Sequence, residues 1–215
     1  MMAAIVCAES GLATLVIDKN DVTGRKLRIT GKGRCNLTND CTPEEVIAAT
    51  TKNGRFLYSA VNVFSPQDTI DFFENMQVKL KTERGKRVFP VSDRADDIAD
   101  ALERKAVSAG VKIIKDKASE IIVENKMVKG VKTNNNIYRS KNVVICCGGS
   151  SYPLTGSDGS GVKLAKDTGH NITELRPSLL PLVEAGGICS SLQGLSLKNI
   201  AVSVYDNAAQ KIIFK

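Results

Sequence analysis

At 215 residues, with 42% hydrophobic, 5% aromatic and 25% charged content, the chain has the make-up of an ordinary globular protein, which excludes disordered, collagen-like and disulfide-stapled classes. A chain this long buries roughly 70% of the surface its unfolded form exposes, enough for a core without metal or disulfide staples. The net charge of +7 favours anionic partners such as a phosphate-bearing cofactor, a nucleotide or RNA, without choosing among them.

The six cysteines (Cys7, Cys35, Cys41, Cys146, Cys147, Cys189) form no C-x-x-C pair, and His170 is the one histidine, so no zinc site is expected. Reduced thiols of this kind read as small buried fillers. The longest apolar runs, Leu12 to Ile17 and Val143 to Cys147, fall well short of the roughly 20 residues of a membrane span. Met1 to Ser10 has no basic region and carries Glu9. The expectation is a cytoplasmic protein with no membrane and no metal partner.

In chain order, Met1 to Glu9 reads as the last turns of a helix stopped at Gly11, and Leu12 to Ile17 as a buried strand of a parallel sheet. Asp21 to Leu37 is glycine-rich, basic and without period, which predicts a loop. Thr42-Pro43-Glu44-Glu45 and Ser65-Pro66-Gln67-Asp68 are helix starts with cap, proline and a residue placed for a capping box. A helix over about Ala95 to Ala109 stops at Gly110 and leads into a strand at Val111 to Lys115. Runs around Ser119 to Glu124, Met127 to Thr133 and Ile137 to Tyr138, separated by Asn125-Lys126 and Asn134-Asn135, predict an antiparallel meander. Asn142 to Cys147 reads as an apolar strand closing on Gly148-Gly149, and Asp158 to Thr168 as a helix stopped at Gly169. From Ile172 the pattern turns β-rich, with a domain boundary near Arg176.

In a dinucleotide-binding βαβ unit, an acid ending the second strand holds the ribose hydroxyls about 20 residues after the glycine-rich turn. Asp18 is such an acid, or else a solvated strand-end carboxylate. The stretch from Gly24 to Asn39, GRKLRITGKGRCNLTN, packs five cations and three glycines together. Glycines let a backbone approach a ligand, the cations neutralise phosphate or an electron-rich ring, and Asn36, Thr38 and Asn39 offer neutral hydrogen bonds.

This stretch resembles the hallmark of the aminoacetone oxidase/BaiN-like family of NAD(P)/FAD-dependent oxidoreductases. Three further segments are similar to the same family: Arg87 to Asp93; Cys146-Cys147-Gly148-Gly149 with Ser151 to Pro153 and Thr155 to Gly159; and Arg176 to Leu182. The resemblance implies an α/β protein, a Rossmann-like FAD-binding parallel sheet with an antiparallel β-meander over residues 1–175, followed at 176–215 by the start of a β-rich inserted domain. It implies FAD as cofactor, with NAD(P)H as electron donor. Carried over by position, Asp18 holds the adenosine ribose, Lys19, Gly24, Arg25 and Lys26 are cofactor-binding, the last three lying along the cofactor, and Cys35 and Asn36 sit near the flavin. Ala118 meets the adenine through its backbone, and Gly148 is the second cofactor-side turn, where the family has Ala-Thr before Gly-Gly and this chain has Cys146-Cys147. Arg34 and Lys32 would stabilise a Cys35 thiolate. Tyr152 is either a proton donor or a loop anchor, and His170 a contact to a helix end.

The family's G-x-G-x-x-G strand and turn would lie before Met1, and its later half after Lys215. The resemblance therefore implies a fragment that retains FAD weakly on its own. The substrate class it implies is a small molecule or uridine in ribosomal RNA. The alternative is a non-catalytic anion- or RNA-binding module built on the cations from Arg25 to Arg34. It lacks an aromatic stacking platform, because the nearest aromatics, Phe56 and Tyr58, read as helix core.

Overall fold

The computed structural model describes residues 1–177, 183–197 and 200–214; 178–182, which include most of the motif at Arg176 to Leu182, lie outside them. It divides into two units, Met1–Ile172 and Thr173–Lys215. The first unit opens with α1 (Met2–Glu9) and β1 (Leu15–Asp18). The strand starts later than the apolar run because the Leu12 N–H is spent on the Cys7 carbonyl at the helix exit, leaving Leu12 60% exposed.

The reading of 21–37 as a loop is corrected by α2 (Arg25–Gly33). Leu27 packs into the core, and Arg28 reaches across to Asp96 and Asp100 at 2.7 and 2.6 Å, tertiary contacts that hold a sequence with no helical period in a helix. The helix breaks at Thr30, Gly31 and Lys32. Gly31 has φ +56°, and a Cβ there would lie 2.7 Å from the Asn36 nitrogen, so this close return of the chain requires glycine.

Then follow β2 (Thr38–Asn39), α3 (Pro43–Ala49), a 3₁₀ turn at Gly54–Leu57, α4 (Tyr58–Val63) and α5 (Pro66–Asn75). Both capping boxes form, Thr42 with Glu45 and Ser65 with Asp68. Phe56 and Tyr58 are not helix core: they stand 86% and 63% exposed, because their segment is a short 3₁₀ turn and a six-residue helix packed on α3. A hairpin of β3 (Leu80–Glu83) and β4 (Arg87–Pro90), with β2 on its other side, makes an antiparallel sheet that the sequence reading missed. Arg34 anchors this sheet. Its guanidinium lies 4.2 Å from the Phe89 ring centre and binds Glu83 and Asp93 at 2.5 and 2.6 Å, and Lys81 adds a contact to Asp93 at 2.8 Å.

The long helix α6 (Ala95–Ser108) leads to β5 (Lys112–Lys115), which pairs in parallel with β1, Leu15 opposite Lys112 through Asp18 opposite Lys115. The meander is β6 (Ala118–Glu124), β7 (Met127–Thr133) and β8 (Ile137–Arg139). The strand expected at 142–147 does not form. Val144 is 64% exposed, and among the described residues no strand runs beside this segment to take its backbone hydrogen bonds, without which an apolar run is not a strand. A 3₁₀ turn at Pro153–Thr155 and α7 (Ser160–Asp167) follow. The first unit is thus a Rossmann-like mixed α/β fold: a parallel pair flanked by helices, with antiparallel sheets appended. The second unit holds the short helix α8 (Ile188–Ser191) and the antiparallel hairpin of β9 (Val204–Asp206) and β10 (Lys211–Phe214).

Helix α6 joins two clusters of apolar side chains. Ala95, Ile98 and Ala101 pack with Cys35, Phe73 and Val78, while Ala106 packs with Ala4, Ile5 and Val111 under Val16 and Ile113. Cys35 is 1% exposed and accepts no help from Arg34, which is committed to acids. Burial pushes its thiol up, against the thiolate expected from the sequence.

Ile98 is completely buried, so Ile98→Ala should cost about 2–5 kcal/mol of stability in urea unfolding. Maleimide labelling followed by mass spectrometry should modify the exposed Cys146, Cys147 and Cys189 well before Cys35, which should react only on unfolding. The Arg34 cluster supplies an acid test. Hydrogen bonds from Arg34 hold Glu83, and those from Lys81 and Arg34 hold Asp93, below the usual carboxylate range. Their contribution is therefore full above about pH 4 and lost as acid protonates them. The gap in thermal midpoint between the native protein and Arg34→Met should narrow below that pH.

Candidate functional site

The parallel register of β1 and β5 ends both strands at one level, and a groove of about 330 Å³ lies beyond those ends. Its lining brings together seven of the nine residues singled out from the sequence: Asp18, Lys19, Gly24, Arg25, Lys26, Ala118 and Gly148. Asp18 and Gly148, 130 positions apart by their numbering, thus share one cavity. Cys35 and Asn36 are not among the lining residues. Cys35 is in the core cluster under α2, and Asn36 follows it on the approach to β2.

Asp18 closes β1. Its Oδ1 accepts two hydrogen bonds from Asn20, from the backbone N–H at 2.9 Å and from Nδ2 at 3.0 Å, which fixes the carboxylate of this groove residue. The Asp18 carbonyl accepts from the Asp116 N–H at 3.0 Å, tying the two strand exits together. Asp116 is itself a buried groove residue. Hydrogen bonds from Thr133 first, then from Lys117 and Asn135, hold its carboxyl below the usual range, so it stands ionised at neutral pH.

Four cations, Lys19, Arg25, Lys26 and Lys117, line the groove against the two carboxylates. Two helices also begin there: Gly24 and Arg25 open α2, and Ser160 opens α7. Helix starts present unpaired N–H groups and the positive end of the dipole, so the two together favour an anion between them. Of the five cations in the basic stretch, Arg25 and Lys26 face the groove, Arg28 and Arg34 are consumed by ion pairs in the scaffold, and Lys32 is exposed.

Gly148 has φ +72° and lies where a Cβ would come within 3.0 Å of the buried Ser157 hydroxyl. Tyr152 is 68% exposed, with the Lys26 ammonium 6.0 Å from its ring centre. His170 follows α7 and is exposed, its N–H bonded to the Ala165 carbonyl, outside the groove lining. The sequence reading missed Asn20 and Asp116, and gave no role to Thr155 and Ser157 although both stand in the segment Thr155 to Gly159. Asp116 had a signal: it directly follows the strand expected at Val111 to Lys115. No group of side chains suited to a metal occurs among the described residues, and no helix there is long and apolar enough to cross a membrane.

A 3-dehydro-bile acid delta(4,6)-reductase of Clostridium scindens is 27% identical over 224 residues, covering 99% of this chain and 53% of that protein. A ribosomal RNA dihydrouridine synthase of Haemophilus influenzae is 26% identical over 204 residues, covering 92% of this chain and 50% of that protein. The chain thus spans about half the length of the curated relatives it matches. A solved glycine oxidase from Bacillus cereus aligns over 76% of this chain and 55% of its own, with 15% identity and a TM-score of 0.44. The model of the HI0933-like protein Rossmann domain matches residues 1–214, and the chain belongs to that family.

Proposed function

We propose that the groove takes the adenosine diphosphate portion of FAD and that the protein acts as a flavin-dependent oxidoreductase. The observation that carries this reading is a fixed carboxylate at a strand end inside a groove where two helices begin. The carboxylate suits a ribose hydroxyl, and the helix starts with Lys19, Arg25 and Lys26 suit a diphosphate. Ala118, at the first residue of the meander, offers backbone to an adenine edge, and Gly148 allows close approach from the opposite wall. The lining residues therefore fit the nucleotide half of the cofactor, and FAD when bound supplies hydride chemistry that no side chain here can perform. The protein's own part is to hold that nucleotide: Asn20 orients Asp18, and the cations offset phosphate charge.

For the substrate class, the names of the two curated relatives point one way. The delta(4,6) double bonds of a 3-dehydro bile acid and the bond saturated in dihydrouridine are carbon–carbon double bonds conjugated to a carbonyl. We take reduction of such a bond, in a small molecule or in ribosomal RNA, as the reaction, with a reduced nicotinamide dinucleotide as electron donor.

Titration of the chain with ADP and with FAD tests the cofactor reading. Asp18→Ala should weaken ADP binding by about tenfold or more, since a hydrogen bond to a charged acceptor is worth about 1.5–3 kcal/mol. Equal affinity in the variant would defeat the assignment of Asp18.

A further inference from the structure

The groove is strapped across its mouth. From one wall Lys19 Nζ donates to Asp158 Oδ2 at 2.5 Å, Asn20 Nδ2 donates to the Thr155 carbonyl at 3.3 Å, and Lys26 Nζ donates to Ser151 at 3.1 Å (carbonyl) and 2.9 Å (Oγ). The partners on the other wall all belong to the loop 150–159 and lie 125–139 positions away in sequence, so these contacts form only once the groove exists. Lys19, Asn20, Lys26 and Thr155 themselves line the cavity.

The Asp158 carboxylate is divided between two tasks. Oδ1 accepts the Ser160 N–H at 3.1 Å and steadies the start of α7, while Oδ2 reaches Lys19. The Lys19 hydrogen bond, followed by those at Ser160, holds this carboxyl well below the usual range. Lys19 and Asp158 keep 24% and 38% of their side chains exposed, so the pair is partly screened by water and opens at modest cost.

We propose that Asp158 gates the groove: its carboxylate occupies the Lys19 ammonium that an entering anionic group requires, and the ligand exchanges with it, untying the loop 150–159. An ammonium has donors for both, but a phosphate beside the Asp158 carboxylate meets a like charge, which favours exchange over addition. The ligand class is a phosphate-bearing nucleotide, so the gate rests on the nucleotide reading above.

Asp158→Asn keeps an acceptor for the Ser160 N–H and removes the charge facing Lys19. With ADP as probe, calorimetry and stopped-flow should show the variant binding about twofold to fivefold tighter and associating faster. Hydrogen exchange of the loop 150–159, read without nucleotide, should rise in the same variant. Weaker or unchanged ADP binding, or unchanged exchange, overturns the gate. If ADP binds neither protein, the nucleotide reading fails by itself. Inorganic pyrophosphate put through the same comparison then decides the gate, and no gain in the variant overturns it.

Discussion

The parallel pairing of β1 with β5 is the constraint on which the rest of the first unit depends. Four residues on each side pair in register, and the ladder carries on past the strands to the hydrogen bond between Asp116 and Asp18. Because both strands point the same way, both of their exits, with the carboxylates Asp18 and Asp116, open at one end. An antiparallel pairing would send them to opposite ends. Two parallel strands need a long crossover, and here it contains α2 through α6, whose last helix returns across the pair. The packing of Ile5 and Ala106 against Val111, Val16 and Ile113 holds α1 and α6 on the strands, so the groove is positioned by the core and not by its own loops.

The basic glycine-rich stretch shows how one run of cations divides between scaffold and site. Arg28 and Arg34 carry the same charge as Arg25 and Lys26, yet their roles are set by acids 49 to 72 positions away, on α6, on β3 and in the connection between β4 and α6. A guanidinium held by two carboxylates has little charge left to offer a ligand. The alternative of a surface binding module spread from Arg25 to Arg34 loses two of its cations in this way. Of the three that remain, Arg25 and Lys26 line the groove and Lys32 is exposed to solvent.

Signals that act over a few residues were legible in the sequence. Thr42 and Ser65 each satisfy N–H groups within one turn, so proline and an acid at the right offset mark α3 and α5. The Asn125-Lys126 turn works the same way: both residues take positive φ, and the meander strands meet at Val123 and Val128 and at Glu124 and Met127. Gly130, at φ +152°, sits where any Cβ would strike the Tyr138 carbonyl, an approach between β7 and β8 that the sequence marked only as a glycine. Hidden in the sequence were properties set by distant partners. Val143 to Cys147 has the composition of a buried strand, yet among the described residues no strand pairs with it and Val144 stands exposed. Phe56 has the composition of a core residue and is exposed because its turn is too short to bury it. Cys35 stands among cations in sequence and among Phe73, Val78 and Ile98 in space.

The same distinction bears on what the groove can bind. Helix starts and ammonium groups favour an anion, whereas Asp18 and Asp116 repel one, so a simple phosphate or sulfate meets both attraction and repulsion within about 330 Å³. The two carboxylates become favourable only toward donors: ligand hydroxyls or ring N–H groups placed a few ångströms from the anionic part. A ligand that satisfies both halves must carry negative charge at one end and hydroxyl donors at the other, joined at a set distance, and a ribose diphosphate has that pattern. On the proposed nucleotide reading, the mixed charge of the groove discriminates among anions more sharply than its net positive charge would, with Asn20 holding one oxygen of Asp18 by two hydrogen bonds.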